Sequence, residues 1–269
     1  MTKRPHGNLA WRLALVLTAL MLGGCSWLGI DNLFEKDNTA RWDADKLYAE
    51  ARAELSAGNW AKAREYYQKL ESRYPFGRHA QQALMEIAYT YYKEGESAQA
   101  VQAADRFIRQ YPNNPNIDYM YYLKGLATFS ENVGIVGLIL AQDSIQRDAK
   151  GARESFDAFK DLITRFPDSK YTEDARARMR YLLNAMALSE LDVANFYFVR
   201  KAYVAAIQRA QVVVRDYQSS PVTEDALILM ARSYQALEMP DLQADTERVI
   251  ALNYPDSRYL RNKKVLTAR

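Results

Sequence analysis

The residues that ordinarily carry chemistry are scarce in this 269-residue chain. It has one cysteine, Cys25, and two histidines, His6 and His79. An internal disulfide is therefore impossible. Multi-histidine metal sites are excluded, as are zinc sites of four cysteines or of two cysteines and two histidines. No glycine-rich phosphate loop and no Gly-x-Ser-x-Gly string occurs. The carboxylate pairs Glu173-Asp174 and Glu224-Asp225 each lie near a helix start, where they complement the dipole without any reaction. We expect no catalytic residue and no metal. What remains is binding chemistry. The 19 tyrosines offer rigid apolar rings with a polar tip, and arginines can grip a carboxylate in a bidentate pair.

Cys25 has chemistry of another kind. Lys3, Arg4 and Arg12 precede the ten-residue apolar run Leu13–Leu22, and Gly23 and Gly24 follow. That is the layout of a secretory signal peptide over residues 1–24. Ten residues rise about 15 Å as helix, half of a hydrocarbon core, so the run is too short to span a membrane. Leu22-Gly23-Gly24-Cys25 resembles the bacterial lipobox. The alternative is a plain secretory signal with a chance cysteine. The lipobox implies cleavage before Cys25 and an N-palmitoyl, S-diacylglycerol lipid on it, the only prosthetic group we expect; three acyl chains exceed what stable anchoring needs. Ser26 in the next position, by analogy with other lipoproteins, favours export to the outer membrane. Without residues 1–24 the chain carries 33 basic and 33 acidic residues. Such a neutral chain has no general attraction for nucleic acid.

The elements that must position the tyrosines are repeats. Residues 25–42 show no period and read as a tether of at most ~60 Å. Trp27, Leu28 and Phe34 within it are free either to rest on the membrane or to dock on the domain. From Asp43 onward an aromatic-proline pair closes most segments: Tyr74-Pro75, Tyr111-Pro112, Phe166-Pro167 and Tyr254-Pro255, with Tyr217-Gln218 in the remaining slot. Two of the spacings lie near the 34-residue tetratricopeptide period, and two are long enough to imply insertions. Gly58 and Gly95 mark tight turns. Ala63, Ala100, Ser155, Ala206 and Gln243 stand twelve residues before the closing positions, and four of the five are small, as close helix packing requires. Each proline lacks an N–H and disfavours helix in the residue before it, so it ends the second helix of a pair.

The sequence therefore predicts an all-α tetratricopeptide-repeat solenoid of five helix-turn-helix units, about ten helices, with a concave face. The helices fall near 43–57, 60–73, 77–93, 96–110, 116–130, 147–165, 170–195, 199–216, 221–236 and 239–253. N-terminal repeats (43–130) and C-terminal repeats (147–269) flank an insertion at 131–146. Its apolar stretch Val133–Leu140 reads as a loop folded on the solenoid or as a contact for a partner or membrane. The basic tail from Arg258 to Arg269 reads as a frayed, solvated end or as a segment drawn to anionic lipid or a partner.

Several strings are more specific than the repeat: RYPFG at 73–77, AYTYYK at 88–93, DRFIRQYPNNPNIDY at 105–119, RDAKGARESF at 147–156 and LDVANFYFVRKAYVAAIQR at 191–209. With the lipobox, they make the chain similar to the BamD family, lipoproteins of the β-barrel assembly machine on the periplasmic face of the Gram-negative outer membrane. The resemblance covers nearly the whole chain. It implies a lipid-anchored, non-enzymatic factor that binds BamA through a periplasmic POTRA domain and holds BamC and BamE. It also implies that the factor receives unfolded outer-membrane proteins by their C-terminal targeting signal. The rivals are an enzyme, for which residues are lacking, and another solenoid lipoprotein, which the lipobox and repeats fit equally.

Candidate binding residues follow. Tyr89 and Tyr92 share a helix face, as do Tyr119 and Tyr122, and they line a groove or fill the core between helices. Arg73-Tyr74-Pro75-Phe76-Gly77 is the sharpest local string. Pro75 and Gly77 make a helix stop and a turn; an exposed Phe76 is not explained by the turn. The resemblance implies a turn facing substrate, with Tyr74 and Phe76 holding an aromatic of the signal and Arg73 its carboxylate. Asn116 or Asp118 serves as an N-cap or a groove rim. Arg209 matches a family position for subunit pairing. Arg200 accompanies it nine residues earlier, and either is otherwise a solvated surface arginine.

Overall fold

Two recurring turns punctuate the chain. The first follows the opening helix of four of the five units. Gly58 (φ 79°), Gly95 (φ 77°), Lys201 (φ 63°) and Glu238 (φ 57°) all take the left-handed conformation. The N–H of the residue after each returns to the carbonyl five residues back, from Asn59 to Glu54, Glu96 to Tyr91, Ala202 to Tyr197 and Met239 to Tyr234. This satisfies helix-end carbonyls, and glycine is the residue that adopts it without a Cβ penalty. The second turn is the aromatic one. The N–H groups of Tyr74, Tyr111, Phe166, Tyr217 and Tyr254 close the preceding helices four residues back. Their carbonyls then accept from Gly77, Asn114, Ser169, Ser220 and Ser257 at 2.9–3.1 Å. Gln218 in place of proline leaves this geometry intact.

The computed structural model describes residues 38–129 and 142–267. Cys25, the signal peptide, most of the tether with Trp27, Leu28 and Phe34, and the apolar stretch Val133–Leu140 lie outside the described residues. The helices are α1 (Ala44–Ser56), α2 (Trp60–Arg73), α3 (Ala80–Lys93), α4 (Ser97–Gln110), α5 (Ile117–Thr128), α6 (Gln142–Arg165), α7 (Thr172–Val199), α8 (Tyr203–Asp216), α9 (Thr223–Ala236), α10 (Pro240–Asn253) and α11 (Arg258–Thr267). There is no strand among the described residues. Each helix from α1 to α10 packs on the next, and the opening helices of neighbouring units touch as well, α3 on α5 and α7 on α9. This is the tetratricopeptide-like solenoid that the repeats predict.

Three sequence expectations need correction. The tail is not frayed at its start: α11 seats Tyr259 and Leu260 against Leu227, Ala231 and Ile250 of α9 and α10, and the Tyr259 hydroxyl donates to Glu247 at 3.0 Å. It is an eleventh helix because the apolar edge of the last pair needs a cover. The second long repeat spacing also needs no loop. It is taken up by α7, whose 28 residues are twice the 14 of α8. Likewise α6 begins at Gln142, inside the expected insertion.

The small residues sit where close packing demands: Ala63, Ala100, Ser155 and Ala206 are fully buried. Tyr67, Leu70, Leu84 and Phe107 fill the first core. Phe159 and Leu162 fill the second with Ala175 and Leu182. Ala187, Leu191 and Ala194 of the same α7 enter a third with Val213 and Met230. Each large aliphatic or aromatic side chain so buried is worth about 1.5–3 kcal/mol.

Candidate functional site

The predicted tyrosine pairs are brought together. Tyr89 and Tyr92 of α3 lie 6.3 Å apart between ring centres, and Trp60 meets Tyr89 edge-on at 6.1 Å. Tyr119 of α5 packs on Tyr171 at 5.8 Å, and Tyr122 stacks on the same ring at 4.6 Å and 15°. The Tyr122 hydroxyl donates to Asp174 Oδ2 at 2.6 Å, which also accepts from Arg178 Nε at 2.6 Å. Burial, then the Asp174 carboxylate, push the Tyr122 hydroxyl up to about 12. Burial alone would raise Asp174, but the bonds from Tyr122 and Arg178 outweigh it and hold the carboxyl below its ordinary range. Tyr119 is pushed up by burial first and then by the Glu86 charge and its tyrosine neighbours. The result is a half-buried aromatic band running from α3 across α5 to the start of α7. Tyr171, Glu86 and the Asp174–Arg178 pair belong to it. Sequence spacing missed Tyr171 and the Asp174–Arg178 pair because they reach it from another part of the chain; Glu86 stands on α3 itself, three residues before Tyr89.

The RYPFG turn is placed elsewhere. Arg73 donates to the Thr39 carbonyl at 2.6 Å and to Thr39 Oγ1 at 3.0 Å. The Tyr74 hydroxyl donates to the Trp42 carbonyl at 3.2 Å, and Trp42 packs edge-on against Tyr66 at 5.4 Å. Thus Arg73 and Tyr74 hold the segment leading into α1. Phe76 stands fully exposed, 101% accessible. His79 stacks on Tyr48 at 4.2 Å and, with Arg78, meets Asp45. Asn116 occupies the cap position of α5 without a side-chain cap bond. Asn114 instead accepts from the Asn116 N–H at 2.8 Å, while Asp118 accepts from the Tyr119 N–H and from Ser169 Oγ. A surface cavity of about 480 Å³ opens between the turns at Pro112 and Pro167, and its lining residues Asp118 and Ser169 adjoin Tyr119 and Tyr171.

At the other end, Arg209 of α8 pairs with Glu190 of α7 at 3.2 Å and is half-exposed. Arg200 lies over the Phe196 ring at 3.4 Å. Around them Leu188, Phe196, Val199 and Val204 are exposed. Asp192 falls between Leu188 and Phe196 on the same helix face, its carboxyl raised by burial. This apolar surface was not among the sequence candidates, because α7 carries no single apolar stripe. Its buried face in fact rotates where α6 gives way to α8 as its partner. Among the described residues no carboxylate, cysteine or histidine cluster can hold a metal ion. No described helix is long and apolar enough to cross a membrane.

A family model described as YfiO, outer membrane lipoprotein, matches residues 41–250. The outer membrane protein assembly factor BamD of Neisseria meningitidis serogroup B is 42% identical over 251 residues, 93% of each chain. The chain belongs to the BamD family. The BamD of Xylella fastidiosa is 33% identical over 93% of this chain and 84% of its own. That of Vibrio cholerae is 33% identical over 77% and 86%. Membership makes the chain a non-enzymatic outer-membrane protein assembly factor.

Proposed function

We propose that the chain is a lipid-anchored scaffold that receives the C-terminal targeting signal of unfolded β-barrel proteins on its N-terminal units and docks BamA through its C-terminal units. The tyrosine band carries this reading. Rings presented side by side from three helices suit an extended chain with alternating aromatic side chains, and their hydroxyls suit its backbone amides. The exposed Leu188, Phe196, Val199 and Val204 around Arg200 and Arg209 support a protein interface there, with the POTRA domain of BamA as its occupant. The Leu22-Gly23-Gly24-Cys25 string supports lipid on Cys25 and a place on the periplasmic face. BamC and BamE are the further partners the family relationship suggests.

The test is site-specific photo-crosslinking in the full chain to a labelled C-terminal peptide of an outer-membrane protein. Photoreactive residues at Tyr92 and Tyr122 should capture the peptide, and one at the exposed Leu252 should not. Capture equal at all three positions, or at none, refutes the assignment.

A further inference from the structure

A third surface lies where the two halves of the stack meet. Phe156 and Ile163 of α6 and Met179 and Leu183 of α7 stand half-buried along an apolar groove of about 220 Å³, with the exposed Arg176 and Arg180 at its edge. Phe156, Ile163 and Met179 rest on the core beneath them. The groove exists because α7 is longer than the helix that covers it. Arg176, Arg180, Leu183, Ala187, Leu191 and Ala194 follow at intervals of three and four, so they share one face of α7. Along the second half of that face, Ala187, Leu191 and Ala194 are buried in the core that Ala210 and Val213 of α8 complete. Leu183 already touches that core. The turn that ends α8 meets α6, where Arg153 donates to the Tyr217 hydroxyl at 3.5 Å. Past that turn the same side of α6 and α7 stays open as the groove.

The charge around it has one sign. No acidic side chain lines the groove. Arg176 pairs with the exposed Glu173 at 2.6 Å. Arg180 has no carboxylate partner among the described residues, and neither does the exposed Lys160, which falls between Phe156 and Ile163 on their face of α6. An apolar floor with a cationic edge accepts the complementary pattern, apolar side chains at i, i+3 or i+4 and i+7 flanked by carboxylates. A helix presents that pattern, and a helix, α8, already fills the collinear place on α7. We propose that the groove docks an acidic amphipathic helix of a partner protein, laid in line with α8. The floor is about 10 Å long, so about two turns of the partner cover it. Asp174 and Arg178 put the tyrosine band on the opposite face of α7. The proposal therefore rests neither on the band nor on the surface around Arg209.

The test is photo-crosslinking of the full chain in the outer membranes of cells that make it. Photoreactive residues at Ile163 and Met179, one at a time, should capture a partner protein, and mass spectrometry should place the adduct in a segment with the acidic, amphipathic pattern. Lys160→Glu combined with Arg180→Glu should lower the yield about tenfold and leave the urea midpoint of the chain nearly unchanged. The milder pair Lys160→Gln and Arg180→Gln should lower the yield about threefold, which keeps the result readable if charge reversal disturbs folding. An adduct to phospholipid, to residues 26–37 of the chain itself or to a second copy overturns the proposal. So does an adduct in a neutral or basic segment, a yield that both pairs of substitutions leave intact, or no adduct at either position.

Discussion

Gly125→Ala is an instructive perturbation of the support beneath the band. Gly125 lies inside α5, where alanine is ordinarily better than glycine by about 1 kcal/mol. A Cβ added there would stand 2.5 Å, 2.7 Å and 2.8 Å from three ring atoms of Phe159. That ring is fully buried and boxed in by Tyr122 and Phe129, so it cannot swing away. The carbonyl of Gly125 also accepts from the buried Ser155 hydroxyl of α6 at 2.8 Å, which holds the two helices in register. Overpacking of this kind costs about 2–3 kcal/mol. Subtracting the helix-propensity gain leaves a net loss of roughly 1–2 kcal/mol. In a Phe159→Leu background the overlap is gone, and the same substitution should stabilise by up to about 1 kcal/mol. Urea unfolding of the four chains gives the cycle directly, with an expected coupling of about 2–3 kcal/mol. If Gly125→Ala stabilises the native chain, or changes stability equally in both backgrounds, close approach of α5 to Phe159 is not what fixes glycine at 125.

Further outcomes follow from other sites. Arg209→Glu should abolish co-purification of BamA with the chain. It should leave the urea midpoint nearly unchanged, because the half-exposed pair with Glu190 is worth at most about 1 kcal/mol; retained BamA refutes the docking assignment. Glu238→Gly should raise stability by about 0.5 kcal/mol in urea titrations, since glycine removes the left-handed penalty and returns part of it as chain entropy. Gly95→Ala at the equivalent turn should lower stability. Because the Glu86 carboxyl is raised in the folded chain, the folded state binds more protons above the unfolded value. Its contribution to stability is fully present below about pH 4.5 and is lost as pH rises through the folded value. The difference between native and Glu86→Gln stability should therefore grow across that window and level off above it; a difference independent of pH refutes the burial argument.

What was legible in the sequence was local. Each aromatic-proline pair announced a helix end because proline removes a donor wherever it falls, and Gly58 and Gly95 announced turns that need a positive φ. The equivalent turns at Lys201 and Glu238 were silent, since their residue types say nothing of a conformation imposed by the packed helices around them. The i, i+3 spacing put Tyr89 with Tyr92 and Tyr119 with Tyr122. It was blind to Tyr171, which arrives about fifty residues later, and to Glu86, whose burial comes from the helices packed around it. The resemblance implies that Arg73 and Tyr74 face substrate, and the segment holding Thr39 and Trp42 has no periodicity to announce the bonds that engage them. Their hydrogen bonds show that aperiodic chain can still be seated, through backbone carbonyls that no side-chain pattern reveals.

One member of the stack is shared property. α7 gives Ala175 and Leu182 to one core and Ala187, Leu191 and Ala194 to the next, while Met186 touches both. At 28 residues it is a beam roughly 42 Å long. Nearest-neighbour repeats come apart one at a time when their only joints are thin seams. Here a load on either end is carried by a single unbroken rod, so the halves should melt together, and stiffening by cargo at one end should be felt as reduced amide exchange at the other.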